Sequence, residues 1–139
     1  IVVFICNVGV NMSKKINNHY GKSLNDQRIG IEDPKLIIFE LLNGLHKKLE
    51  ITLVNIDKGN ANEAKKNAKK AQNIAFALRT ALDHSGGGEI AENLDFLYSH
   101  IHLATDKFIK NDKKNMLNSA LFVSSEILSG WKGLVNKIA

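Results

Sequence analysis

The sequence predicts an all-α fold, an antiparallel up-down-up-down four-helix bundle, on three observations. Apolar residues recur at three- and four-residue intervals in four separate runs, which lays one stripe along each of four helices. Start and stop signals at Asp33-Pro34, Lys58-Gly59-Asn60, Gly86-Gly87-Gly88 and Lys110-Asn111-Asp112 separate those runs. A single Pro in 139 residues suits long helices better than turn-rich β structure.

The first helix is expected to start at Pro34. Asp33 can cap it by accepting from the first free amides, and Pro34 fits a first turn that has no use for its missing donor. Its stripe is Ile38, Leu41, Leu45, Leu49, Thr52 and Ile56, widened by Ile37, Leu42, Leu53 and Val54. Gly59, free to take a left-handed backbone, should close it. Asn60 and Glu63 have the spacing of a capping box, so the second helix is expected from there to about His84. Its core face opens with Ala64, Ala68, Ala71 and Ala75, small enough for a close helix approach, while Lys65, Lys66, Lys69 and Lys70 face water.

Three successive glycines cost about 1 kcal/mol each against alanine in a helix interior. The chain is therefore expected to turn at Gly86–Gly88 and to start a third helix at about Gly88. Ile90, Leu94, Leu97, Ile101, Ala104 and Phe108 form its stripe. Asn111 or Asp112 is expected to cap the fourth helix, whose stripe is Met116, Ala120, Val123, Ile127, Trp131 and Leu134.

This length suits one domain: a bundle over residues 34–137 preceded by a mobile arm over 1–33, with Ile29 as one of its anchors. The apolar segment 1–11 gives way to Met12-Ser13-Lys14-Lys15, which reads like a natural start, so 1–11 is expected to be non-native or upstream sequence. The alternative is an apolar arm lying in a groove of its own or a neighbouring molecule. No run approaches the roughly 20 apolar residues that cross a bilayer, so membrane insertion is not expected. The single Cys6 allows no internal disulfide and fits a reducing cytoplasm. The net charge of +5 is spread over several helices without aromatic interleaving, which reads as solvated surface and not as a nucleic-acid footprint.

Chemistry is largely missing. His19, His46, His84, His100 and His102 form no ligand set; His100 and His102 stand about 200° apart on a helix and share no face. One thiol excludes structural zinc, and the triple glycine lacks the Lys-Ser/Thr of a phosphate loop. No catalytic residue, metal or cofactor is expected. The runner-up reading is a histidine phosphotransfer domain using His46, on Gly44-Leu45-His46-Lys47-Lys48.

Apolar residues outrun the needs of a closed bundle. Ile74, Phe76 and Ala77, then Phe96 and Leu103, then Leu117, Leu121, Phe122 and Leu128 widen the apolar arcs of the last three helices. Either the core is thicker than four stripes, or the arm, a second subunit or a client peptide covers the excess.

Leu78, Leu82 and Asp83, the glycines, Glu89-Ile90-Ala91, Asn93-Leu94, Leu97-Tyr98 and Trp131 resemble the pattern of the flagellin export chaperones of the FliS family, from about Ile31 to Leu134. The resemblance implies the same bundle and a non-enzymatic, cytoplasmic role. The implied partners are the disordered C-terminal segment of flagellin, kept from premature polymerisation, and the flagellar export apparatus; a homodimer is an added possibility. The expected client groove is Ile74, Ala77, Leu78, Ile90, Leu94, Leu97, Tyr98 and Leu103. Leu24 stands where the family has a Tyr, with Tyr20 a turn earlier, so Tyr20, Leu24 and Ile29 are the expected N-terminal cap.

Overall fold

A computed structural model describes residues 33–138, which form four helices: α1 (Pro34–Asp57), α2 (Ala61–Thr80), α3 (His84–Asn111) and α4 (Leu117–Ile138). No strand occurs among the described residues. The expected arm lies outside them but for Asp33, and Tyr20, Leu24 and Ile29 lie outside with it.

The start of α1 follows the sequence: Asp33 Oδ1 accepts from the Lys35 amide at 3.0 Å and Pro34 opens the helix. Its end follows too, with Lys58 as cap and Gly59 at φ 78°, a left-handed backbone that glycine adopts without steric cost.

Three boundaries differ from expectation. The capping box at Asn60 does not form: the Asn60 side chain makes no cap bond, and its backbone amide instead donates to the Asn55 carbonyl at 2.8 Å, closing α1. The second correction is that α2 stops at Thr80, because Asp83 caps the next helix. Its Oδ1 accepts from the Gly86 amide at 3.1 Å and from the Ser85 hydroxyl at 2.9 Å. The interhelical turn is thus Ala81–Asp83, and His84 to Gly87 form a first turn of α3, where amides lack intrahelical partners in any case. A Cβ on Gly86 would collide with the Asp83 carboxylate. The break expected among the glycines falls on Gly88 alone, at φ 52° and ψ −128° inside α3. Third, Asp112 does not cap α4; it ends α3 in a left-handed conformation, φ 57° and ψ 22°, its amide donating to the Phe108 carbonyl at 3.0 Å.

α1 packs on α2 and α4, and α3 packs on α2 and α4, so all four enclose one core. Ile38, Leu42, Leu45 and Leu49 of α1 meet the alanine row of α2, and Leu78, Tyr98, Ile101, Ala104 and Leu117 complete the interior. Two details of the stripes differ from expectation. Val54, expected to widen the apolar face of α1, is 48% exposed, and α4 buries Leu117 and Ser124 along with the expected Ala120 and Trp131, while Met116, Val123 and Ile127 are half-buried against the core. Polar pairs pin the seams. Between α2 and α3, Lys65 meets Asp112 at 2.6 Å, Gln72 donates to Asp106 at 3.2 Å and Arg79 meets Asp95 at 2.5 Å, descending α3 as they climb α2.

Candidate functional site: an apolar face on the third and fourth helices

The surplus of apolar residues read from the sequence divides in two. Ala77 and Leu117 are buried, and Ile74, Leu121 and Leu128 are half-buried against the core. Phe76, Phe96, Leu103 and Phe122 stay in water, at 54%, 74%, 46% and 64% exposure. The core is therefore thicker than four stripes, yet four of these surplus side chains remain outside it, as do Leu36 and Val54 of α1.

Two of the four share a face, and a third stands one turn from the contact that joins α4 to it. Phe96 and Leu103 are seven residues apart, so they lie on one side of α3, with His100 between them. His100 Nε2 lies 3.0 Å from the Ser119 hydroxyl of α4, and Phe122 follows Ser119 by three residues. Phe96 and Leu103 thus lie within about a turn of one end of this bridge and Phe122 within a turn of the other. Glu92 and Lys107, exposed one turn beyond Phe96 and Leu103, give the face a charged rim. Phe76 stands apart on α2, its ring 6.4 Å from that of His102, which opens to the other side of α3.

The residues expected to line a client groove are not all on one surface. Leu78 and Tyr98 are core side chains at 0% and 2% exposure, Ala77 is buried, and burial holds the Tyr98 phenol well above its ordinary range. Ile74 Cδ1 lies 3.8 Å from the position a Cβ on Gly44 would take, on the α1–α2 seam. Ile90, Leu94 and Leu97 are half-buried on α3, and Leu103 is outside. Phe96 and Phe122, absent from that expected groove, are the most exposed; their signal in the sequence was their position outside the stripes.

His46 is not free for phosphotransfer. Its Nδ1 lies 2.9 Å from the Ser124 hydroxyl and its Nε2 lies 3.5 Å from Glu50, a carboxylate that would repel a phosphoryl group. The Ser–His–Glu order resembles a hydrolytic triad, but Ser124 is fully buried and donates its proton to the Leu121 carbonyl at 2.8 Å. The arrangement is a clamp between α1 and α4. No group of His, Cys, Asp or Glu among the described residues could hold a metal ion, and no described helix is long and apolar enough to cross a membrane.

Among the described residues, the helical bundle keeps phenylalanines in water beside a closed core, as a protein that holds other chains does. The comparisons agree. The family model described as "Flagellar protein FliS" matches residues 16–138, and the chain belongs to that family of flagellar secretion chaperones. It is 31% identical over 113 residues to the flagellar secretion chaperone FliS of Vibrio cholerae, covering 81% of this chain and 82% of that protein. It is also 35% identical over 65 residues to the flagellar secretion chaperone FliSB of Pseudomonas aeruginosa, covering 47% of this chain and 52% of the relative.

Proposed function

We propose that the protein is a non-enzymatic, cytoplasmic chaperone that binds the disordered C-terminal segment of a flagellin, prevents its premature polymerisation and delivers it to the flagellar export apparatus. The observation that carries this reading is the exposed trio Phe96, Leu103 and Phe122 across the α3–α4 seam. Covering a side chain that is half to three-quarters exposed contributes about 1–2 kcal/mol, so the trio supplies roughly 4 kcal/mol. Ordering a disordered client costs about 2–5 kcal/mol or more. The trio alone leaves little surplus, so the client must also bury apolar surface beyond these three side chains, as a helix laid into a groove would.

The scaffold of this proposal is one domain over 34–137, an antiparallel up-down-up-down bundle. The opposed order of the α2–α3 pairs supports it, as does α1, whose start meets α4 late, at Trp131, while its centre meets Ser124. The N-terminal arm, with Tyr20, Leu24 and Ile29 as its cap, is the remaining part of this reading. Titrating a peptide of the native flagellin's C-terminal segment should give a gain of helical circular dichroism beyond the sum of the parts. No gain and no binding with that peptide would overturn the proposal.

A further inference from the structure

We propose that the cleft between the end of α1 and the turn into α4 is a second docking site, one that takes an acidic segment of a protein partner bearing apolar anchors. The cleft measures about 770 Å³ and shares no lining residue with the Phe96–Leu103–Phe122 face. Leu53 and Ile56, three residues apart on one side of α1, give it an apolar floor. Val54, 48% exposed and three residues before the lining Asp57, continues that apolar surface outward.

Its rim is cationic. Lys113 and Lys114 line the opposite side, and both are exposed. Among the described residues neither joins an ion pair, whereas Lys65, Arg79 and Lys110 each do. Asp57 is the one carboxylate in the lining, and the exposed Lys58 follows it directly, so the rim keeps a positive balance. Asn115 and Asn118 add amides that can meet a peptide backbone. Apolar floor and basic rim together select the occupant. A bare phosphate or a nucleic-acid backbone would use the lysines and leave Leu53 and Ile56 unused, and a purely apolar segment would leave two ammonium groups without partners. An acidic amphipathic segment uses both. This site stands whether or not the α3–α4 face binds flagellin.

The test is amide-shift mapping on the full-length isotope-labelled chain with a synthetic peptide carrying Leu anchors at helical spacing and Glu between them. A matched peptide with Lys in place of Glu is the control. The expected result is shifts at 53–57 and 113–118, stronger for the Glu peptide, and affinity lowered about tenfold in K113E/K114E but unchanged in F96S/F122S. Both lysines are exposed, so the unfolding midpoint of the charge-reversed protein should stay put. The proposal is overturned by no shifts in those two segments, by equal binding of the Lys peptide, by binding that survives the charge reversal, or by shifts confined to the α3–α4 face.

Discussion

The indole nitrogen of Trp131 donates to the main-chain carbonyl of Lys35 across 2.9 Å, fastening α4 to the first turn of α1. Trp131 is buried, so this bond closes the bundle at the end where α1 begins. Trp131→Phe should lower unfolding free energy by about 1 kcal/mol, the usual worth of such a bond, and Trp131→Ala by about 3–5 kcal/mol. Urea unfolding of the two variants checks the ratio.

Gly88 holds a backbone conformation that side chains rarely adopt, although nothing would touch a Cβ placed there. Gly88→Ala should therefore destabilise through strain alone, by about 1–3 kcal/mol. Thermal unfolding reads it, with Gly130→Ala, where the space is equally open and φ is not positive, as the harmless comparison.

Asp106 accepts from Gln72 and meets Lys110 at 3.3 Å, contacts that hold its carboxyl below the ordinary carboxylate value, the Gln72 bond most of all. A depressed folded-state pKa means that the unfolded chain binds more protons near pH 4, so stability from this group is present above about pH 4 and lost as pH falls further. Asp106→Asn should lower the urea midpoint more at pH 6 than at pH 3. An equal shift at both pH values would show that the Asp106 carboxylate contributes nothing through its charge.

Ile74 packs on the α1–α2 seam near Gly44, whereas Leu103 is outside the core. Ile74→Asp should cost stability, about 2–4 kcal/mol for a charge forced into a half-buried site. Leu103→Asp should change the unfolding midpoint little and weaken client binding. The two variants compared side by side separate fold from function.

Much of the fold was legible because helix periodicity and start signals are local. Asp33-Pro34 and Gly59 did what their side chains and backbones favour, and the alanine row of α2 lies fully inside. The misread boundaries came from competition between neighbours: Asp83 offered a stronger helix start than the glycines offered a turn, and closure of α1 took up the Asn60 backbone amide. The site was less legible. Spacing places Phe96 off the core stripe but cannot say whether another helix covers it, and that depends on how α3 and α4 rotate against each other. Likewise the rotation of α2 took Ile74 to the α1 side and that of α3 took Tyr98 inside, where no pattern in either segment alone could place them.

In the proposed complex Phe96, Leu103 and Phe122 hold the client. Calorimetric titration of the native flagellin C-terminal peptide at several temperatures, into the unsubstituted protein and into F96S/L103S/F122S, tests it most directly. A negative heat-capacity change is expected for the unsubstituted protein. In the triple variant, affinity should fall at least about tenfold, with that change reduced and the unfolding midpoint preserved. Equal affinity and equal heat-capacity change in the two proteins would contradict it.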